Sequence, residues 1–150
     1  MRYDQSAGAI IYYMKDKEPM FLLLKYPTYW GFSKGIIEKD EEPEQTAIRE
    51  LEEETGISVD KIELIPGFTF IQNWIYRFKG ELIKKKATYI LVEVSQENSK
   101  KVTLSSEHED FQWSNYENSL KIMRVKNNRE MLKEAYDFIK ENKKQTSLPG

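Results

Sequence analysis

The stretch that decides the fold of this chain runs from Gly35 to Ile57 and reads GIIEKDEEPEQTAIRELEEETGI. Pro43 suits the first turn of a helix, because its missing N–H needs no partner there. Gly56 suits the position just beyond a helix end, and the residues between them are mostly good helix formers. The stretch therefore predicts a loop followed by a helix that begins near Pro43 and ends before Gly56.

Three acidic side chains are expected on one stripe of this helix. At about 100° per residue, Glu50, Glu53 and Glu54 share a stripe, whereas Glu52 points away from it. Like charges at this spacing destabilise a helix unless a cation lies among them. Carboxylate oxygens suit Mg²⁺, which proteins hold with a few carboxylates and substrate phosphates. Arg49 lies beside this stripe, where it can pair with a ligand carboxylate and orient it.

A glutamate run alone is more typical of a solvated surface helix, but the complete spacing is far more specific. It reads G-x5-E-x7-R-E-U-x-E-E-x-G-U, where U is a bulky apolar residue, and it begins at Gly35. At every defined position this stretch resembles the Nudix box. The resemblance implies a Nudix-type α/β/α sandwich of the α/β class with a mixed β-sheet. It also implies Mg²⁺-dependent cleavage of a nucleoside diphosphate linked to another group.

The resemblance extends beyond the box, over roughly residues 6–139, to the asymmetric diadenosine tetraphosphate hydrolases. The run FLLLK at 21–25 precedes a W-x-x-x-K-G stretch at 30–35, and Pro-Gly-Phe at 66–68 resembles an E-G-F of those enzymes. The stretch LSSEHEDFQW at 104–113 is similar to their L-S-x-E-H-x-x-x-x-W segment. Phe-Ser replaces their usual Pro-Pro before Lys34, and the stretch at 30–35 is equally similar to RNA pyrophosphohydrolases.

The resemblance implies a metal site and a catalytic set. The metal is expected to be Mg²⁺, with Mn²⁺ as the alternative. Glu107 approaches the metal from outside the helix, and either Glu50 or Glu107 is the general base. His108, the single histidine, is expected to support the structure or orient a ligand. The expected metal ligands are the carbonyl of Gly35 and the side chains of Glu50, Glu53, Glu54 and Glu107; the expected catalytic residues are Arg49, Glu50, Glu53, Glu54 and Glu107.

Substrate contacts are predicted from lysines and one tyrosine. A polyphosphate needs counter-charge beyond the metal, and Lys34, Lys85 and Lys86 are candidates, although a lysine run is often only a solvated turn. Aromatic rings bind bases by stacking, worth about 1–3 kcal/mol per base. Tyr89 aligns with a base-stacking tyrosine of the resembling enzymes.

Composition limits the classes of protein to consider. The chain has 150 residues, enough for one domain with a hydrophobic core, and 39% of them are hydrophobic. A net charge of −2 gives no reason to expect DNA binding. The chain has no cysteine, no apparent signal peptide and no membrane-length apolar run, so a cytoplasmic location is expected. The domain is expected to span 1–140, followed by a polar tail at 141–150; the oligomeric state stays open.

The remaining elements follow from periodicity and turn signals. Capping boxes at Ser114 and Asn127 predict two further helices, of which the second carries an apolar stripe. A turn is predicted at 80–86 and a polar loop at 96–101. The predicted strands are 7–13, 20–25, 61–70 with an interruption, 74–79, 87–94 and 111–113.

Three functions fit these features. The favoured one is hydrolysis of dinucleoside polyphosphates, such as diadenosine tetraphosphate, to ATP and AMP. The second is a pyrophosphohydrolase of RNA 5′ ends or caps, and the third is a non-catalytic nucleotide sensor. A sensor would not need all three metal glutamates and Arg49, which favours an enzyme acting on a small nucleotide substrate.

Overall fold

The structure, a computed structural model, describes residues 1–146. An eight-stranded sheet forms the centre, and helices cover both of its faces. The strands are β1 (Arg2–Lys15), β2 (Glu18–Lys25), β3 (Trp30–Gly31), β4 (Ser33–Ile36), β5 (Ile62–Leu64), β6 (Phe70–Phe78), β7 (Glu81–Val94) and β8 (Phe111–Ser114); the helices are α1 (Pro43–Thr55), α2 (Gln96–Ser99), α3 (Tyr116–Ile122) and α4 (Lys126–Thr146).

The sheet is mixed, as predicted. Strand β1 pairs in parallel with β7 and antiparallel with β2 and β4. The two antiparallel partners share the length of β1: β4 lies beside its first half, where Gly35 faces Ala7, and β2 lies beside its second half. Strands β5 and β6 add to β7, whereas β3 and β8 add to β2. This arrangement leads the chain from Gly35 at a strand end directly towards α1.

Two hydrophobic cores lie on opposite faces of the sheet and confirm the predicted sandwich. Successive strand residues point to opposite faces, so β7 contributes Val92 to one core and Leu91 to the other. The α1 face is closed by Leu51 of α1. The α4 face is closed by the apolar stripe of α4, namely Met131, Leu132, Ala135 and Ile139.

Helix α1 begins and ends where the sequence predicts. Pro43 is its first residue, and the backbone N–H of Glu42 donates to Gln45 Oε1 at 2.8 Å. Gly56 adopts the left-handed conformation with φ 73°, and its N–H donates to the carbonyl of Glu52 at 2.9 Å. Glycine tolerates this φ without steric cost, which explains why the helix ends there.

The lysine run lies in a strand rather than in the predicted turn. The turn is confined to Lys79 and Gly80, both with positive φ, and β7 begins at Glu81. Pairing with β1 and β6 on either side extends β7 through the lysines, because each strand supplies partners for its backbone. The alternation of strand side chains then places Lys85 on the α4 face and Lys86 on the α1 face.

Other boundaries also differ from the prediction. Asn115 rather than Ser114 caps α3, accepting from Asn118 N at 2.9 Å, because Ser114 still belongs to β8. Helix α4 begins before Asn127, which lies in its first turn. Four residues of the predicted loop at 96–101 form α2, and the predicted tail is helical up to Thr146; residues 147–150 lie outside the described part. No helix within residues 1–146 is long and apolar enough to cross a bilayer.

Candidate metal and substrate site

Arg49 fastens the loop between β4 and α1 to the helix. Its Nε and NH2 donate to the two carboxylate oxygens of Glu41 at 2.8 and 3.0 Å, and NH2 also donates to the Ile36 carbonyl at 3.2 Å. Thr46 Oγ1 donates to Glu41 at 2.8 Å. The hydrogen bonds that Glu41 accepts lower its pKa to about 2, and those from Arg49 have the largest effect. Glu41 is therefore ionised at neutral pH and holds the loop through a two-pronged ion pair.

Glu50 lies directly over Gly35. Arg49 NH1 donates to Glu50 Oε1 at 2.9 Å, which turns the carboxylate back towards β4. A methyl group at Gly35 would lie only 2.0 Å from Glu50 Cδ. A β-carbon at this position would therefore displace the Glu50 carboxyl group from its place over Gly35.

Glu54 is a buried carboxyl group paired with a buried imidazole. Its side chain is 2% exposed, and its Oε2 lies 2.7 Å from His108 Nε2. His108 Nδ1 faces the carbonyl of Lys25 at 3.4 Å. A carbonyl only accepts, so Nδ1 carries a proton, and Nε2 either accepts from a protonated Glu54 or donates to an ionised one. In both cases the histidine fixes the orientation of the Glu54 carboxyl group.

The second oxygen of Glu54 is a buried acceptor that lacks a donor. Oε1 has no hydrogen-bond partner among the described residues, and Glu50, one helical turn before Glu54, is the neighbouring carboxyl group that interacts with it. Burial, followed by the interaction with Glu50 and the charge of Glu107, raises the pKa of Glu54 from 4.5 to about 9. Two adjoining carboxyl groups need either a shared proton or a cation. The donor set therefore fits a hard divalent cation, which prefers carboxylate oxygens.

The other predicted ligands are not gathered at this point. Glu53 has a side chain that is 59% exposed, with Arg49 NH1 at 3.5 Å, and Glu107 is also exposed. Within residues 1–146, no three acidic or histidine side chains converge closely enough to hold one metal ion. Each carboxylate has its own main contact: Arg49 for Glu50, His108 for Glu54, and solvent with a long contact to Arg49 for Glu53. Glu50 and Glu54 are the predicted ligands that adjoin in this structure, and the full five-ligand set stays a prediction.

Lys34 extends from β4 over a pair of stacked tyrosines. Its Nζ lies 5.7 Å from the ring centroid of Tyr26 and 5.8 Å from that of Tyr29, and the two rings stack at 4.8 Å. Tyr26 also packs edge-on against His108 at 4.7 Å. Burial raises the pKa of the Tyr26 phenol above its ordinary value, and the charge of Glu54 adds to this effect, so the phenol stays neutral. The tyrosines thus connect an ammonium group to the carboxyl pair.

Tyr89 is not available for stacking on a base in this structure. It is 2% exposed and packs edge-on against Phe32 at 6.5 Å between ring centroids. Its position in β7 points the ring into the α4-face core, so the alignment that favoured a stacking role identifies a core residue instead. Lys85 Nζ lies 5.6 Å from the Tyr76 ring, whereas Lys86 lies on the opposite face of the sheet.

Sequence reasoning did not assign Tyr26, Gln72 or Asn128. Tyr26 directly follows β2 at the start of the aromatic loop, which was the available signal. Gln72 and Asn128 are each 7% exposed and hydrogen-bond to each other across 56 positions. No local sequence pattern predicts a hydrogen bond between two residues so far apart in the chain. The supporting position of His108 agrees with the expectation that it orients a ligand or supports the structure.

Comparisons with known proteins agree with this geometry. The family profile described as NUDIX domain matches residues 2–135. The chain is 32% identical over 122 residues to the asymmetrical bis(5′-nucleosyl)-tetraphosphatase of Mus musculus, covering 79% of the chain and 80% of that protein. It is 30% identical over 144 residues to the dihydroneopterin triphosphate diphosphatase of Haemophilus influenzae, covering 89% of both.

A solved structure has a similar fold. The crystal structure of a C. elegans Ap4A hydrolase binary complex superposes with a TM-score of 0.80 at 27% identity, covering 92% of this chain and 98% of that one. RNA pyrophosphohydrolases are also among the relatives, over shorter stretches of the chain.

Proposed function

The chain belongs to the Nudix family of hydrolases, and from that premise we propose that it cleaves dinucleoside polyphosphates, converting diadenosine tetraphosphate to ATP and AMP. The main support is the adjoining carboxyl pair of Glu50 and Glu54, in which a buried oxygen lacks a donor. A second support is Lys34, an ammonium group on the strand residue next to Gly35. A cation-binding pair beside a positive charge suits a polyanionic chain.

Nudix hydrolases generally use divalent metal ions, and we propose Mg²⁺ here, with Mn²⁺ as the alternative. Glu50, Glu54, Glu53 and the carbonyl of Gly35 would hold the ion, with Glu107 nearby. When bound, such an ion neutralises phosphate charge and lowers the pKa of a water molecule. His108 holds the Glu54 carboxyl group in place, and Arg49 holds Glu50. Glu50 or Glu107 would take the proton of the attacking water.

Lys34 is the first candidate for a phosphate contact. Its ammonium group has three donors, and the adjacent tyrosine rings stabilise its charge without neutralising it. Lys85 lies on the same face of the sheet and would contact phosphates farther along the chain. Lys86 points to the other face, so its contribution is expected to be smaller than that of Lys85.

A panel of substrates tests the proposal. Purified protein with Mg²⁺ would be offered diadenosine tetraphosphate, ADP-ribose, an 8-oxo nucleotide, dihydroneopterin triphosphate and triphosphorylated RNA. We expect the highest kcat/KM with diadenosine tetraphosphate and no turnover in the presence of a chelator. The same panel with Glu54→Gln controls for contaminating hydrolases. Absence of metal-dependent turnover would indicate a non-catalytic sensor instead.

A second candidate is the hydrolysis of a pterin triphosphate. It is favoured by the relative from Haemophilus influenzae, whose match covers 89% of the chain rather than 79%. Preferred cleavage of dihydroneopterin triphosphate would replace the first proposal. Rapid pyrophosphate release from triphosphorylated RNA, without cleavage of diadenosine tetraphosphate, would instead favour an enzyme of RNA 5′ ends.

A further inference from the structure

Two buried amides on the α4 face of the sheet are only half satisfied. Gln72 Nε2 donates to Asn128 Oδ1 at 3.0 Å, and it also lies 3.9 Å from Met131 Sδ. The two N–H groups of Gln72 are thereby occupied. Gln72 Oε1 and Asn128 Nδ2 have no hydrogen-bond partner within the described residues, although each residue is only 7% exposed.

The two free atoms face accessible space rather than a sealed interior. The fully enclosed side-chain atoms that lack partners in the described part of the chain are Ser33 Oγ, Glu54 Oε1 and Ser105 Oγ, and neither amide atom is among them. Water can satisfy these two atoms in the free protein, and a ligand edge that presents one donor and one acceptor could replace that water. Here one acceptor and one donor remain available to a ligand.

The assignment of amide oxygen and nitrogen does not change this conclusion. A single hydrogen bond between two amides uses one N–H and one oxygen. If both amides were rotated, Gln72 would present the free donor and Asn128 the free acceptor. The contact with Met131 favours the first arrangement, but either one offers a donor and an acceptor.

The amide pair lies next to the tyrosines that carry Lys34. A methyl group at Gly31 would lie 3.0 Å from Tyr29 Cε2, 3.3 Å from Tyr26 Cε2 and 3.5 Å from Asn128 Nδ2. Asn128 therefore lies close to the stacked rings of Tyr26 and Tyr29. Gln72 pairs with Ala87 in the sheet, and Gly35 lies three strands away, about 14 Å at 4.7–4.9 Å per strand.

We propose that Gln72 and Asn128 read the hydrogen-bonding edge of the substrate's base. The ligand class is a purine ring that presents a donor beside an acceptor on one edge. Adenine offers its amino group beside a ring nitrogen, and guanine offers N1–H beside O6. Trp74, two residues along β6 on the same face and half-buried, offers a flat surface for the ring. This role rests on the proposed function, because it assigns the base subsite of the same site.

Binding of nucleoside monophosphates tests the pair without any hydrolysis. AMP, GMP and purine riboside 5′-monophosphate, which lacks the exocyclic group, would be titrated against the purified protein. A good two-point amide contact discriminates by about 1–3 kcal/mol, or about 5- to 150-fold in Kd. We expect AMP or GMP to bind more tightly than the purine analogue by this factor, and the better of the two identifies the base.

The decisive variant is the double substitution Gln72→Met/Asn128→Leu. Replacing both amides by apolar side chains of similar size leaves no unpaired polar group, so the protein is expected to fold. In this variant the preference over the purine analogue should fall to near one. The matched control is Gln112→Met/Asn127→Leu, which makes the same changes at exposed positions and should keep the wild-type preference.

Three results would overturn the inference: no preference over the purine analogue in the wild type, an unchanged preference in the double variant, or no binding of any of the three probes. A clear preference together with no cleavage of diadenosine tetraphosphate would leave the amide pair standing and refute the proposed substrate instead.

Discussion

At the scale of single residues, burial and neighbouring charge give three nearby glutamates different states. Glu41 is held ionised by Arg49, whereas Glu54 has a raised pKa because it is buried beside Glu50. Glu52 points away and accepts from the backbone N–H of Val59 at 2.9 Å. Glu52 differs from Glu53 and Glu54 in its position around the helix, so a substitution at Glu52 serves as the control for substitutions at those two residues.

We expect Glu53→Gln and Glu54→Gln each to lose most of the activity while Glu52→Gln changes little. The amide keeps the size of the side chain but removes a negative metal ligand. Removing the charge of Glu53 relieves repulsion on the helix, and at Glu54 the neutral amide avoids the cost of protonating a buried carboxyl group, so the melting temperature in chelator should not fall for either variant. Steady-state kinetics at saturating Mg²⁺ provides the measurement. If Glu52→Gln proves as damaging as Glu54→Gln, the assignment by helical phase is wrong.

The raised pKa of Glu54 predicts a pH-dependent stability in chelator. Between about pH 4.5 and about pH 9, the folded protein keeps a proton on Glu54 that the unfolded chain has released. The free energy of unfolding should therefore fall as pH rises through this window, by at most about 1.4 kcal/mol per pH unit. Urea unfolding at several pH values measures the slope. Glu54→Gln should lack this contribution and Glu52→Gln should retain it; parallel curves for all three proteins would contradict the prediction.

His108 is expected to act as a positioning residue through Glu54. Its replacement by Leu removes the partner of Glu54 and should raise the metal concentration for half-maximal activity by about 10–100-fold. His108→Gln places an N–H near the position of Nε2 and should restore much of the affinity. Metal titrations of activity, with kcat compared at saturation, make the measurement. A purely structural histidine would show no rescue by Gln.

At the scale of secondary-structure elements, helix ends could be predicted from local sequence, but the pairing partners of the strands could not. Helix α1 was predictable because Pro43 and Gly56 act within one turn of its ends. The lysines of β7 were assigned to a turn because their strand character comes from β1 and β6, which are distant in sequence. The burial of Tyr89 has the same origin, because an aligned residue type does not reveal which face of the sheet the residue occupies.

The contact between β4 and α1 gives a prediction at this scale. Gly35→Ala would place a methyl group 2.0 Å from Glu50 Cδ, so Glu50 must move away from Glu54. We expect a large loss of kcat and weaker metal dependence, with β4 still paired to β1. Gly80→Ala is the control: nothing lies within 4 Å of its added methyl group, although φ is +79°. Gly80→Ala should lower the free energy of unfolding by about 1–2 kcal/mol and leave activity unchanged. Full activity of Gly35→Ala would show that the contact between Gly35 and Glu50 does not matter for catalysis.

At the scale of the whole molecule, the two faces of the sheet have different tasks. The α1 face carries the carboxyl pair, and Tyr26 packs against the core of that face, whereas the α4 face carries Lys34 and the amide pair. Strand β4 joins them, since the Lys34 side chain lies on the α4 face whereas the next residue, Gly35, lies against Glu50 on the α1 face. Under the proposed function, a substrate that crosses β4 would be held at its base on one side and presented to the carboxylates on the other.

This arrangement predicts where the polyphosphate chain is cut. One base subsite at a fixed distance from one carboxyl pair selects a single phosphorus counted from the anchored nucleoside. Diadenosine tetraphosphate should then give ATP and AMP, with oxygen from labelled water in only one of them; ADP as the main initial product would exclude this. Diadenosine pentaphosphate identifies the anchored side. If the anchored product is ATP, the pair will be ATP and ADP; if it is AMP, the pair will be AMP and adenosine tetraphosphate. Chromatography of initial products distinguishes these cases, and a mixture of both pairs would contradict a single fixed anchor.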